Sequence, residues 1–309
     1  LMPGDKVCVG GTTGSVGAVA AQLAKIRGCT VVGFGGGPER AKWVTDTLGI
    51  SKAIDYRAKD FPAQLKAAFP DKSDAEIEKI LRGVWDNLGR VAAEFAHIDR
   101  LHIEDPANPG PEDITYTPRS LELFRKLRDD GKPALLFTSH LANWELAAYV
   151  AEQYGLHLHV LYRRPNIGAA NDAIMKLRSG AMGTLVATGL DAPGRLADVL
   201  KANGHVAMLV DQYYVRGVDI TFFGRKTRAN PFLARLARHI DCPIHGARIV
   251  RLPGDKFRID VTEEIPAVRD TNGEIDVDKT TQAINDVIEG WVREHPAQWL
   301  WVHRKWRND

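Results

Sequence analysis

His140 and Glu145 stand five positions apart in Ser139-His140-Leu141-Ala142-Asn143-Trp144-Glu145, directly after the apolar run 134–139. A neutral imidazole can take the proton from a hydroxyl. A nearby carboxylate can fix its tautomer and stabilise the imidazolium that forms. These two groups are the minimum for acyl transfer to an alcohol, and no serine or cysteine nucleophile is required, so direct transfer is expected without an acyl-enzyme. On one continuous helix, positions five apart point about 140° away from each other. The spacing therefore places His140 in a turn at a strand end and Glu145 in the first turn of the next helix, close enough to orient the imidazole. Backbone N–H groups at that helix start, or a nearby arginine, are the expected donors to a tetrahedral oxyanion.

A second motif belongs to different chemistry. Gly11-x-x-Gly14-x-x-Gly17 follows a Val-rich run and opens an Ala-rich helical stretch. Glycines so placed let the backbone turn tightly and approach a pyrophosphate at a helix N-terminus. Around it, strands are expected over 6–10, 30–34 and 53–56 and helices over 14–27 and 38–48, an alternation that predicts parallel βαβ units. Farther on, Ser73-Asp74-Ala75-Glu76 reads as a capping box opening a helix that runs to about residue 95. Residues 104–118, rich in Pro, Gly, Asp and Glu, read as a loop. Strands are then expected over 134–139, 157–162, 185–188, 206–210, 244–250 and 257–261. Helices are expected over 121–129, 144–154, 231–239 and 279–294.

The chain has 309 residues, is 44% hydrophobic and 26% charged, and carries a net charge of +2. That balance suits a globular protein and gives no global reason to expect nucleic acid as a partner. Cys8, Cys29 and Cys242 lack metal-ligand spacing and cannot all pair, which favours a reducing compartment and no metal site. No apolar run approaches the ~18–20 residues that span a bilayer.

From about Leu65 onward the sequence resembles the lipid A biosynthesis lauroyl/myristoyl acyltransferases of Gram-negative bacteria. The His140-x4-Glu145 block, Tyr162-Arg163-Arg164-Pro165-Asn166, Asp211-Gln212, Phe222-Phe223-Gly224-Arg225 and the C-terminal Pro296-x-Gln298-Trp299-Leu300-Trp301-Val302-His303-Arg304-x-Trp306 carry the resemblance in order. It implies His140 and Glu145 as catalytic residues, with Asn143, Arg164, Asp211, Gln212 and Arg225 as substrate-binding candidates. Arg164 is the first candidate for phosphate or carboxylate recognition, because a guanidinium binds such anions bidentately. Asp211, at the end of an apolar strand, also suits a helix or turn cap. The resemblance further implies an acyl-acyl carrier protein donor, a Kdo-bearing lipid A precursor as acceptor, and no cofactor for acyl transfer.

Residues 1–68 resemble a different family, the medium-chain reductases, and within it the zinc-free NADPH-dependent enone (prostaglandin-type) reductases. The stretches Val9–Gly17, Phe34-Gly35-Gly36-Gly37-Pro38-Glu39-Arg40 and Ala53-Ile54-Asp55-Tyr56 carry it. That resemblance implies NADPH as cofactor, with Gly11, Gly14 and Gly17 at the pyrophosphate and Arg40 and Tyr56 at the 2′-phosphate end. Only one mononucleotide half of such a sheet is covered.

The expected fold class is α/β: an acyltransferase-type mixed sheet flanked by helices over 67–309, preceded by an incomplete Rossmann-like βαβαβ half-unit over 1–66 with an unpaired sheet edge. The acyltransferases' apolar anchoring helix has no match here, so a peripheral place on the cytoplasmic face of the bacterial inner membrane, or a cytoplasmic one, is expected. Two other readings stay open: an NADPH-dependent oxidoreductase fragment and a catalytically inactive lipid-binding protein. Trp291, Trp299, Trp301 and Trp306 lie close in sequence to Arg304, Lys305 and Arg307, a mixture that suits a membrane surface. Trp299 and Trp301 fit a core better, because one strand cannot expose both faces to lipid. His205 and His303 lack a nameable partner and read as structural.

Overall fold

A computed structural model of the chain describes residues 1–55, 61–95, 97–105, 112–163, 175 and 178–307. The chain forms two compact units, Leu1–Trp85 and Asp86–Asp309. The division falls inside the helix Asp74–Phe95 rather than at 66/67. That helix opens on the expected capping box: the Ser73 backbone N–H and hydroxyl both donate to Glu76 Oε2 at 2.8 Å.

The first unit contains β1 (Lys6–Val9), β2 (Thr30–Gly35) and β3 (Lys52–Asp55), all parallel in the order β1-β2-β3. Helices Ser15–Ile26 and Pro38–Asp46 connect them. Ala21 and Ala24 on the first helix pack with Val31 and Val44 in a small core. A Cβ at Gly17 would stand 2.2 Å from the Gly11 carbonyl oxygen, so the glycine turn and the helix start close on each other only because residue 17 has no side chain. Strand β1 stands at one edge of this sheet, as expected for half of a nucleotide-binding fold.

The second unit contains β4 (Ile114–Tyr116), β5 (Ala134–Thr138), β6 (Leu158–Tyr162), β7 (Thr184–Ala187), β8 (His205–Leu209), β9 (Tyr213–Phe222), β10 (Arg225–Ala229), β11 (Ile244–Arg251) and β12 (Phe257–Val261). Seven of these form a mixed sheet in the order β4-β12-β11-β5-β8-β6-β7. Only the β11–β12 pair in it is antiparallel. Ala134, Leu135, Leu136 and Phe137 of the central strand β5 are all buried, which is why it reads as a continuous apolar run rather than an alternating one.

Helix Pro118–Asp129 begins where Thr117 Oγ1 accepts from the Ser120 N–H at 3.1 Å, and helix Val277–Glu294 where Asp276 accepts from the Lys279 N–H at 3.0 Å. Strand β4 lies inside the stretch expected to be loop; Phe257–Ile259 supplies its pairing partner. Helix Ala192–Lys201 and the β9–β10 hairpin were likewise not anticipated. The hairpin closes on Phe223 and Gly224, both at positive φ (53° and 68°), the two-residue turn that matches strand twist. Its first strand does alternate over Val218-Asp219-Ile220-Thr221-Phe222, with Ile220 and Phe222 buried and Asp219 and Thr221 exposed, a period-2 signal that the sequence reading passed over.

Candidate active site

Parallel strands β5 and β8 run side by side with Thr138 opposite Leu209. Two residues beyond each, His140 and Asp211 leave the sheet at its carboxyl edge, where open α/β sheets place their sites. His140 Nδ1 stands 2.7 Å from Asp211 Oδ1, and the His140 backbone N–H donates to Asp211 Oδ2 at 2.8 Å. Trp299 Nε1–H donates to the same Oδ2 at 2.8 Å. Asp211 is only 2% exposed in its side chain and His140 13%. Burial pushes the Asp211 carboxyl up, but the His140 imidazole and the hydrogen bonds from His140 and Trp299 outweigh it and hold the group well below the usual carboxylate range. The carboxylate is thus ionised, and the ring nitrogen facing it carries the proton.

The turn that bears His140 is fixed on both sides. The Leu300 N–H donates to the His140 carbonyl at 3.0 Å, and the Ala142 N–H donates to the Gln298 carbonyl at 2.9 Å. Ala142 sits at φ 48°, a left-handed conformation unusual for a residue with a Cβ. Below Asp211, the buried Lys305 Nζ donates to the Asp211 carbonyl at 2.8 Å and to Asn285 Oδ1 at 3.1 Å. Burial pulls the Lys305 ammonium down to about 8, only partly offset by Asp211. Since an ordinary lysine titrates near 10.5, the unfolded chain binds more protons between those values, and stability rises with pH across that window. Lys305→Met is expected to flatten this rise, as read by denaturant midpoints between about pH 8 and 10.5; an unchanged slope would show that Lys305 does not titrate there.

Next to the pair lies a cavity of about 910 Å³ within the second unit. Phe124, Leu136, Val150, Leu158, Val160 and Ala207 give it an apolar lining, and His140, Glu145, Arg163, Arg178, Gln212 and His303 supply polar groups. Such a volume and lining suit a long apolar ligand with a few orienting contacts. The Trp144 ring meets the His140 imidazole edge-on at 5.0 Å.

Glu145 opens its helix, as the spacing predicts, but it does not orient His140. Arg178 holds it instead, with Nε donating to Oε2 at 3.0 Å and Nη2 to Oε1. The orienting carboxylate is Asp211, so its expected substrate-binding role is corrected as well: a buried group with three N–H donors has no face left for substrate. Asn143 is also not a substrate contact. It is fully buried, and its amide donates to Glu94 Oε2 at 3.0 Å. Glu94 in turn pairs with Arg251 (3.0 Å to Nη2), whose Nε donates to Asn87 Oδ1 at 2.9 Å.

Gln212 does line the cavity, its Nε2 lying 3.2 Å from His140 Nε2 and 2.9 Å from His303 Nε2. His303, expected to be structural, therefore joins the site. It protonates less readily than a free imidazole: crowding by neighbouring atoms lowers its proton affinity although one side stays exposed, and the His140 ring adds to this. The signal available in the sequence was its place in the C-terminal block Pro296–Trp306 that carries the family resemblance. Arg225 is not part of the cavity lining; its guanidinium stacks 4.6 Å from the Trp306 ring. Arg164 lies outside the described residues. His205 is buried and does not line the cavity. All four C-terminal tryptophans, Trp291, Trp299, Trp301 and Trp306, are buried, so their rings are core rather than a lipid-facing belt.

In the first unit, Thr13, Gly14, Arg40 and Trp43 line one hollow, which brings the glycine turn and Arg40 together. Arg40 stands in the first turn of helix Pro38–Asp46 and is exposed. This fits a phosphate-bearing nucleotide: backbone turn and helix start for the diphosphate, a cation for a further phosphate. Tyr56 lies outside the described residues.

A histidine held by a buried carboxylate, at the carboxyl edge of a largely parallel sheet and beside an apolar cavity, is an arrangement able to take the proton from a hydroxyl next to an apolar ligand. The family model for bacterial lipid A biosynthesis acyltransferase matches residues 37–308, and the chain belongs to that family. Among curated proteins the chain is also similar to NADPH-dependent curcumin reductase of Escherichia coli, 39% identical over 177 residues, covering 55% of this chain and 46% of the reductase. Rat (Rattus norvegicus) prostaglandin reductase 1 is 32% identical over 155 residues, 47% of this chain and 46% of that protein. The chain thus spans less than half the length of these reductases, and both aligned stretches are longer than the 1–68 segment that carries the resemblance in sequence motifs. The crystal structure of CurA in complex with NADPH from Vibrio vulnificus matches with 20% identity and a TM-score of 0.20, over 61% of this chain and 58% of that one. No helix among the described residues is long and apolar enough to cross a membrane.

Proposed function

We propose that the second unit transfers a fatty acyl chain from acyl-acyl carrier protein to a hydroxyl of a Kdo-bearing lipid A precursor. The observation that carries this reading is the 2.7 Å contact between His140 Nδ1 and the buried Asp211 carboxylate, next to the apolar cavity. With its proton on Nδ1, the imidazole offers the Nε2 lone pair to the acceptor hydroxyl. That oxygen attacks the thioester carbonyl as its proton passes to Nε2, and Asp211 stabilises the imidazolium. Collapse of the tetrahedral intermediate breaks the C–S bond, and the sulfur leaves with the proton from Nε2. The cavity holds the acyl chain, while Arg163, at its rim, suits the acceptor's phosphate or carboxylate groups. Such an acceptor places the protein at a membrane surface. Incubating the purified chain with acyl-acyl carrier protein and the acceptor lipid tests this; acceptor binding without ester formation would replace it with the lipid-binding reading.

The shared hollow of Gly14 and Arg40 supports a second activity of the first unit, NADPH binding. When bound, that cofactor supplies a hydride. In this chain the glycine turn would hold its diphosphate and Arg40 its 2′-phosphate. NADPH fluorescence is expected to rise with the wild-type protein and not with Gly14→Trp, whose indole would fill the hollow; equal enhancement in both would remove the glycine turn from the site.

A further inference from the structure

We propose that the Gln212 side-chain amide is the oxyanion donor of this site and that His303 is the residue that positions it. The inference deepens the acyl-transfer reading and rests on it. The argument starts from the proton on His140. Asp211 takes the Nδ1–H, so the neutral ring presents a bare lone pair at Nε2. The group 3.2 Å from that nitrogen is the Gln212 amide. An acceptor nitrogen needs a donor opposite it, so the amide turns its NH2, not its oxygen, toward His140. The same NH2 lies 2.9 Å from His303 Nε2, so its second hydrogen goes to that ring, which must then also be an acceptor at Nε2. Crowding by neighbouring atoms and the His140 ring both lower the proton affinity of His303, in agreement. Two rings, 5.5 Å apart between centroids, thus share one NH2 group and fix the plane of the amide.

Three backbone N–H groups in the turn beside His140, and two groups of Arg178, are already engaged. The N–H of His140 goes to Asp211, that of Leu141 to the Ser139 carbonyl and that of Ala142 to the Gln298 carbonyl. The Nε and Nη2 groups of Arg178 are committed to Glu145. Gln212, by contrast, gives one hydrogen to a lone pair that the reaction itself needs. When the acceptor hydroxyl docks on His140 Nε2, that amide hydrogen is displaced. The thioester carbonyl carbon lies next to the attacking oxygen, which puts the carbonyl oxygen within reach of the released N–H. As the new C–O bond forms, the carbonyl π pair moves onto that oxygen, and Gln212 donates to it while His303 keeps the amide from rotating. When the C–S bond breaks, the pair returns to the carbonyl and the sulfur takes the proton held by His140.

Steady-state transfer from acyl-acyl carrier protein to the acceptor lipid, with the full chain and each variant's melting temperature recorded, tests the assignment. Gln212→Ala is expected to lower kcat by about 10²–10³ with KM nearly unchanged, the cost of one oxyanion donor. Gln212→Glu, which keeps the size but loses the donor, is expected to fall at least as far. His303→Ala is expected to lower kcat by about 10-fold, a smaller effect because the donor remains but is no longer held. Gln212→Asn checks position: the donor is kept on a shorter arm, and kcat is expected between wild type and Gln212→Ala. A Gln212→Ala protein with wild-type kcat, or one whose loss lies wholly in KM, would overturn the proposal while leaving the acyl-transfer reading standing. A wild-type protein that forms no ester would instead overturn the acyl-transfer reading, and this assignment with it.

Discussion

Asp211→Asn is expected to reduce kcat for acyl transfer by about 10³–10⁴ with little change in KM, close to the loss in His140→Ala. The reason is the tautomer. Asp211 Oδ2 accepts from the His140 backbone N–H and from Trp299 Nε1–H, while Oδ1 faces His140 Nδ1. In asparagine the carbonyl oxygen can take over the first two bonds, which forces the NH2 group toward Nδ1. The ring must then accept at Nδ1 and carry its proton on Nε2, where it can no longer take one from a hydroxyl. Gln212 would also have to turn its oxygen toward His140. The geometry is preserved and the chemistry is lost, so melting temperature should change far less than kcat. If Asp211→Asn turned over as fast as wild type, the pair would be a structural hydrogen bond and the base would lie elsewhere.

Glu145→Ala is expected to destabilise the second unit by about 3–5 kcal/mol, because Arg178 is left charged and poorly solvated. The two side chains are 11% and 20% exposed. Breaking one half of such a pair costs more than removing both. Glu145→Ala combined with Arg178→Met should therefore recover much of the loss, as read from urea unfolding monitored by tryptophan fluorescence. Equal stability of the single and double variants would mean that the ion pair contributes nothing beyond its exposed edges. The comparison also separates the two roles open to Glu145. An orienter of His140 would affect turnover without needing Arg178, whereas a charge partner acts through Arg178.

His140, Asp211 and Gln212 were legible in the sequence, but their pairing was not, and His303 and Arg178 were missed. His140 in a strand-end turn and Glu145 at a helix start followed from the helical repeat, and both stand there. The glycine turn, the βαβ alternation of the first unit and the capping box at Ser73 are local patterns written in neighbouring residues, and they form as expected. Asp211 was visible as the end of an apolar strand. What hid its role is that it acts 71 positions away from His140. The nearer carboxylate, Glu145, was the natural choice for a reading that judges distance by position along the chain.

Local spacing and the family resemblance therefore determined which residues could do chemistry: a histidine at the end of β5 and an Asp-Gln pair at the end of β8. The tertiary structure decided which of them meet. Parallel pairing of β5 with β8 in the register Thr138 to Leu209 sets His140 beside Asp211 and leaves Glu145 to Arg178. The return of the C-terminal segment places Trp299 at the Asp211 carboxylate, Lys305 at the Asp211 backbone carbonyl and His303 at the Gln212 amide. Strand register and chain return are set by the packing of a whole sheet, not by any short run of residues. For that reason the candidate base could be read from the chain alone, while the group that orients it emerged only when the sheet was assembled.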